Sequence, residues 1–195
     1  MACCGWGVEK SRNRYPSIVY RLSSNQQRQT NNKQRIKNME QAIKVIKASR
    51  SKLLSLVEEL STEELNYIPT GFNNNLAWQI GHIVVSQQIL CYKLAGQKFI
   101  IEDELIDLYK NGSKPERAFS EAEIAQMKGY LLSTIDQLAI DLTNGTFDNY
   151  TPYTISTYPG LTLTNVSDAV TFIVSHDGLH YGCSLGLKKL VKNRA

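Results

Sequence analysis

From Met39 onward, apolar residues recur at intervals of three and four, the period of an α-helix with one buried face. The spacing predicts four long helices, over about residues 39–60, 75–95, 120–143 and 164–191. Two stretches, Ser61-x-x-Glu64 and Ser120-x-x-Glu123, have the form of capping boxes, which begin helices. Because the connections are too long for a simple array of hairpins, the sequence predicts an all-α four-helix bundle with crossover connections.

The longest connection comes before the last helix. Residues 144–163 are rich in Thr and Tyr and contain Pro152, Pro159 and Gly160, so they cannot be helical throughout. We expect a long loop or a short hairpin there. Its tyrosines either line the mouth of a pocket or lie on an exposed loop: Tyr150, Tyr153 and Tyr158.

The N-terminal head differs in kind from the body. Residues 1–38 contain eight basic residues against one acidic, Glu9, whereas the remaining 157 residues carry a net charge of about −3. Since the head has few apolar residues after position 22, we expect 1–38 to be a basic, disordered extension and 39–195 to be the folded domain. The head could be translated from a misplaced start codon, or serve as a transit peptide or tail. A mildly acidic body argues against nucleic acid as a partner.

Two further features indicate the compartment. No apolar run reaches the roughly 18 residues of a membrane span, because Gln79, His82, Gln87 and Gln88 interrupt the best candidate. The four cysteines do not have the spacing of a disulfide framework. We therefore expect a cytoplasmic protein that does not enter the membrane.

The chain has only three histidines, and all lie within apolar helical patterns. His176 and His180 form an H-x-x-x-H pair, which places both rings on one face of a helix. Three imidazoles and an open position are the plan of a catalytic metal site, so we predict that His82, His176 and His180 bind a divalent metal ion, with zinc or nickel favoured. The alternative is that His82 is a hydrogen-bonded core residue and that the pair arose by chance.

Four neighbours of the histidines carry their own expectations. Gln79 and Ser86 flank His82 closely enough to contact a bound water or to support the ligands. Cys183 lies one turn beyond His180 and could be a fourth ligand, a reactive thiol or, more commonly, a small buried side chain. Asp177 lies about 100° from the histidine stripe, which favours a solvated or capping carboxylate. Trp78 is most simply a core residue.

Two stretches, Asn75–His82 and His176–Gly182, resemble the corresponding motifs of the DinB-like superfamily, and Val57–Pro69 is similar to its first connection. The resemblance covers about residues 39–193. It implies a four-helix bundle, often dimeric, with a divalent metal on three histidines, which correspond here to His82, His176 and His180. Some relatives are S-transferases or isomerases that use bacillithiol or mycothiol. Where a Gln often follows the Gly after the histidine pair, this chain has Cys183.

Two functional classes remain open at this point. The first is a metal-dependent thiol S-transferase or hydrolase that acts on a small molecule, with a low-molecular-weight thiol as the cofactor of the transferase. The second is a non-catalytic bundle that binds metal or a small ligand. In either case we expect a homodimer and no nucleic-acid partner.

Overall fold

The computed structural model describes residues 24–194. Its helices are α1 (Ser24–Glu58), α2 (Thr62–Asn66), α3 (Leu76–Gln87), α4 (Glu104–Tyr109), α5 (Glu121–Thr143) and α6 (Val166–Lys192). A π-helical segment, Gln88–Tyr92, and a 3-10 turn, Lys93–Ala95, continue directly from α3. Two short antiparallel strands, β1 (Tyr153–Thr154) and β2 (Thr162–Leu163), form a hairpin before α6.

The four long helices form a bundle, which confirms the predicted all-α fold. Each of α1 and α3 packs against both α5 and α6. α1 therefore lies diagonally across the bundle from α3, and α5 lies diagonally across the bundle from α6. Since the chain passes from α1 to α3 and from α5 to α6, both of these connections cross the bundle, as the sequence predicts.

Local sequence fixes most helix boundaries. Both predicted capping boxes are present, with Ser61 and Ser120 each exchanging hydrogen bonds with the glutamate three residues later. Asn165 caps α6 by accepting hydrogen bonds from two backbone N–H groups. Gly96 ends the predicted second helix in a left-handed conformation with a φ of 69°. These residues satisfy helix-end N–H and C=O groups that would otherwise lack partners.

The start of α1 differs from the expectation. The apolar period predicts a start at Met39, whereas the helix begins at Ser24. Of the side chains ahead of Met39, those of Gln34, Lys37 and Asn38 are exposed. A polar stretch can continue a helix without an apolar face, so hydrophobic spacing does not reveal it. Residues 1–23 lie outside the described residues, and the division at 38/39 stays a prediction.

The buried face of α6 is rotated from the one the sequence favoured. Ala169 and Leu187 are buried as expected, but the four residues between them on the predicted stripe are only half-buried: Phe172, His176, His180 and Cys183. The core instead receives Ile173, Asp177 and Ser184. The histidine pair therefore lies at the edge of the core, where it is accessible from one side. Within residues 24–194, no helix is long and apolar enough to cross a membrane.

Candidate metal centre

The bundle brings all three histidines together. α3 contributes His82, and α6, which packs beside it, contributes His176 and His180. One ring nitrogen from each histidine lies within 4.8 Å of those of the other two. Nε2 of His82 lies 3.3 Å from Nε2 of His176.

Each imidazole has a hydrogen-bond acceptor at its Nδ1 atom. These acceptors are the Tyr109 carbonyl oxygen for His82 (2.7 Å), Asp177 Oδ1 for His176 (3.1 Å) and Gln79 Oε1 for His180. A carbonyl, a carboxylate and an amide oxygen only accept, so each Nδ1 carries the proton. The Nε2 lone pairs are then free, and support of this kind behind the ring is typical of metal-binding histidines.

The separation of the Nε2 atoms fits a divalent ion. Two neutral nitrogens that both present lone pairs across 3.3 Å repel each other unless a cation or a proton lies between them. Zinc–nitrogen bonds of about 2.0–2.1 Å in a tetrahedral arrangement place two ligand nitrogens about 3.3 Å apart. Among residues 24–194, these three side chains are the ones grouped closely enough for shared coordination.

The environment also keeps two of the imidazoles unprotonated. Burial lowers the pKa of His82 to about 4, although the Tyr109 carbonyl opposes the shift. Burial and the neighbouring His176 and His82 rings lower the pKa of His180 to about 3. At neutral pH, protons therefore do not compete for these nitrogens, and the neutral form is the one that binds metal.

The polar neighbours expected around His82 are present. Gln79 is buried and, besides accepting from His180, donates to Asn74 Oδ1 at 3.1 Å. The hydroxyl oxygen of Ser86 lies 3.3 Å from His82 Nε2, on the side where a ligand would bind. Gln79 thus supports the ring of His180, and Ser86 borders the centre itself.

Cys183 lies beside the cluster without joining the group of three nitrogens. Its side chain is half-buried, with the sulfur 3.8 Å from Gln79 Nε2. Burial raises the pKa of the thiol. A thiol with a raised pKa ionises less readily, which fits a small packing residue better than a reactive cysteine.

The expectation for Asp177 was wrong. This carboxylate is 1% exposed and pairs with Arg50 of α1, whose side chain is 0% exposed. Arg50 Nε donates to Asp177 Oδ2 at 2.7 Å, while the other carboxylate oxygen faces His176. Burial alone would raise the pKa of Asp177, but Arg50 and His176 outweigh burial and lower it. Asp177 is therefore a buried, ionised link between the core and the histidine cluster.

Sequence reasoning missed Arg50, although a signal was present. The residue occupies the apolar stripe of α1 between Ile46 and Leu53, where a charged side chain is out of place. Its guanidinium also donates to Gln87 Oε1 at 2.7 Å and, over 3.2–3.4 Å, to acceptors on α3 and α5: the Ile83 carbonyl, the Leu131 carbonyl and Thr134 Oγ1. A buried charge requires such partners, so an arginine within an apolar stripe indicates a polar network in the core.

The residues ahead of His82 hold its ring in place. Trp78 is buried, as expected, and its ring stacks on the imidazole with centroids 4.5 Å apart and planes inclined by 12°. Its indole N–H donates to Ser113 Oγ at 3.0 Å. Gly81 allows the Tyr109 ring to lie directly against α3, because a Cβ atom at this position would overlap that ring. The same tyrosine supplies the carbonyl that accepts from His82.

The tyrosines before α6 take different positions. Tyr150 donates its hydroxyl to the Leu90 carbonyl and is half-buried, whereas Tyr153 is exposed. Tyr158 contacts Phe172 edge to face, and the Phe172 ring lies 5.9 Å from that of His176. Two cavities, of about 340 and 640 Å³, lie elsewhere, between α1 and α5 and along residues 107–119. Of these three tyrosines, Tyr158 is therefore the one linked to the centre, through Phe172.

Comparison with known proteins places this centre in a family. No curated protein matches the chain. The family model described as the DinB superfamily matches residues 46–184, a span that begins in α1 and ends in α6. Because this span is most of the chain and includes all three clustered histidines, the chain belongs to the DinB superfamily.

Proposed function

We propose that this protein is a metal-dependent enzyme that acts on a small molecule, either by transferring a low-molecular-weight thiol or by hydrolysis. The observation that carries the proposal is the arrangement of the three imidazoles. Each is held at Nδ1 by an acceptor, so the three Nε2 atoms are left for one ion. Such prior orientation is what a metal site requires for a defined open position.

In this proposal His82, His176 and His180 hold zinc or nickel. A bound ion lowers the pKa of a water or thiol in its open position and so supplies hydroxide or thiolate near neutral pH. The chain leaves the positive charge of such an ion uncompensated, because the three ligands are neutral and Asp177 is already paired with Arg50. A half-buried centre of this charge favours an anionic fourth ligand.

The surrounding residues favour thiol transfer over hydrolysis. Asp177 has one oxygen on Arg50 and the other on His176, so it is not free to take a proton from substrate. Ser86 can orient a ligand through its hydroxyl but is a weak base. A thiolate needs no further base for its attack, whereas assisted hydrolysis gains from one.

The second candidate is a non-catalytic bundle that binds a metal or a small ligand. It is favoured by the lack of a free general base on the carboxylate next to the histidines, because Asp177 is already engaged by Arg50 and His176. A protein that only sequesters an ion needs no such base, whereas assisted hydrolysis gains from one.

Metal analysis and a substrate screen test the proposal together. We expect about one divalent ion per purified chain and loss of most of it in His176→Ala, since two imidazoles bind weakly. Cys183→Ser is the matched control and should keep the ion. A screen of low-molecular-weight thiols with electrophiles, and of hydrolysable esters and amides, should then show turnover that His82→Ala abolishes. Full metal occupancy in His176→Ala would refute the ligand assignment, and absence of turnover throughout would favour the binding protein.

We further propose that the protein is a cytoplasmic homodimer. The family resemblance supports the dimer, and so do three leucines of α6 that are 42–58% exposed: Leu179, Leu185 and Leu190. The free thiols of Cys91 and Cys183 support a reducing compartment. Sedimentation equilibrium should give twice the chain mass, and Leu185→Asp should shift it toward the monomer. Cell fractionation tests the compartment.

A further inference from the structure

Arg50 lies where the four long helices meet. Its guanidinium contacts side chains or carbonyls of α3, α5 and α6 and is fully enclosed. We propose that Arg50 and Asp177 are positioning residues of the metal centre, in which Arg50 orients the Asp177 carboxylate and Asp177 in turn sets the tautomer of His176. This inference rests on the proposed metal site and assigns a task to two residues that do not contact the ion.

The geometry divides the carboxylate between two donors. Oδ2 accepts from Arg50 Nε at 2.7 Å, and Oδ1 lies 3.1 Å from His176 Nδ1. Arg50 cannot turn away from this contact, because its Nη1 atom is also bonded to Gln87 Oε1 at 2.7 Å. The carboxylate is thereby held with Oδ1 toward the imidazole.

This arrangement decides which nitrogen of His176 carries the proton. A carboxylate oxygen only accepts, so the proton stays on Nδ1 and the Nε2 lone pair is exposed toward His82 Nε2, 3.3 Å away. If the proton moved to Nε2, that atom would donate to His82 instead. One hydrogen bond would then occupy the nitrogens of two ligands.

The substitution Asp177→Asn distinguishes the contact with Arg50 from the contact with His176. The amide has one accepting oxygen and one NH₂ group, yet it faces two donors, Arg50 Nε and His176 Nδ1. The cationic guanidinium forms the stronger bond and takes the oxygen, which turns the NH₂ group toward His176. Nδ1 must then accept, and the proton moves to Nε2. We expect metal affinity to fall by about 10- to 100-fold.

A second substitution tests the part played by Arg50. In Arg50→Met with Asp177→Asn, the competing donor is gone, and the amide oxygen is free to accept from His176 Nδ1. The Nδ1–H tautomer should return, and with it a large part of the lost affinity. The double variant also removes both charges from the core together, so it leaves no unpaired ion to unfold the bundle.

Two measurements read out the tautomer and its consequence. Ring ¹⁵N chemical shifts of metal-free protein at pH 8 report which nitrogen of His176 is protonated, and competition with a chromophoric chelator gives the zinc dissociation constant. Tyr92→Phe is the matched control, because it removes a part-buried 2.7 Å hydrogen bond to Asp141 without touching Arg50, Asp177 or a histidine. It should lower the melting temperature, leave the tautomer of His176 unchanged and keep the zinc dissociation constant within twofold of the wild-type value.

The outcomes separate this inference from the proposed function. Nδ1–H in the wild type, Nε2–H in Asp177→Asn and recovery in the double variant support it. A wild-type His176 protonated on Nε2, or a folded Asp177→Asn that keeps its zinc affinity within twofold, would overturn it. If the wild type binds no zinc, the metal site itself fails, while the ring shifts still decide whether Asp177 sets the tautomer.

Discussion

Gly81→Ala tests the close contact between α3 and Tyr109. A Cβ atom at position 81 would lie 2.5 Å from Tyr109 Cγ and nearer still to two other ring atoms. Carbon atoms in contact stay about 3.5–4.0 Å apart, so the ring would have to move by about 1 Å or more. Tyr109 is 1% exposed and stacks on Phe119 with centroids 5.0 Å apart, which leaves it no free direction.

The expected cost follows from two opposing effects. Overpacking an enclosed site costs about 3 kcal/mol at the upper end of its usual range. Replacing Gly by Ala within a helix returns about 1 kcal/mol. The net loss of about 2 kcal/mol should lower the melting temperature by roughly 4–8 °C in a domain of this size. Because the ring and the carbonyl that accepts from His82 belong to the same residue, metal affinity should fall as well.

Thermal unfolding followed by circular dichroism measures the effect, with Gly129→Ala as the matched control. Gly129 lies within α5 and has nothing within 4 Å of an added Cβ, so Ala should stabilise the protein there by up to about 1 kcal/mol. If Gly81→Ala melted at or above the wild-type temperature, the argument from the tyrosine contact would be wrong.

Three further predictions concern other parts of the chain. The pKa of Glu123 is lowered to about 2, first by Arg117 and then by the Ser120 backbone N–H, so its contribution to stability is complete above about pH 4.5 and is lost as the pH falls toward 2. Glu123→Gln should therefore lower the melting temperature by about 2 °C at pH 7 and by progressively less below pH 4.5, as a pH series of melts would show. Deleting residues 1–38 should change the melting temperature by about 1 °C or less, because polar side chains add little buried apolar area; a fall of several degrees would mean that the head docks on the body. Cys183→Ser should keep zinc affinity, measured by chelator competition, within about threefold of wild type, and a greater loss would make the thiol a ligand.

The histidine cluster could be predicted because its members lie on helices that the sequence marks clearly. His176 and His180 are one turn apart, and the Trp78-x-x-Gly81-His82 stretch opens a capped helix. Rules that use only neighbouring residues are sufficient to place these histidines on their helices. The two capping boxes and the hairpin before α6 follow from equally local signals.

The pairing of Arg50 with Asp177 could not be predicted, because it depends on a contact between distant parts of the chain. Asp177 and Arg50 are separated by 127 positions, and nothing near Asp177 in the sequence indicates a cation in the core. When the histidine stripe is taken as the buried face of α6, Asp177 falls on the exposed side of the helix, whereas in the structure it is buried. The π-helical segment after α3 was also missed, since a helix with one extra residue per turn has no distinct composition.

The arginine network of the core has a consequence for how the helices align. Apolar layers of a bundle tolerate sliding, because one leucine can replace another one turn away. The guanidinium of Arg50 has partners on three other helices at a single level: Ile83 and Gln87, Leu131 and Thr134, and Asp177. A helix displaced by one turn, about 5.4 Å, would withdraw its partner and leave a buried charge short of a bond, at a cost of several kcal/mol. The network thus fixes the alignment of α3 and α6 along the bundle axis, and this alignment brings their histidines to the same level.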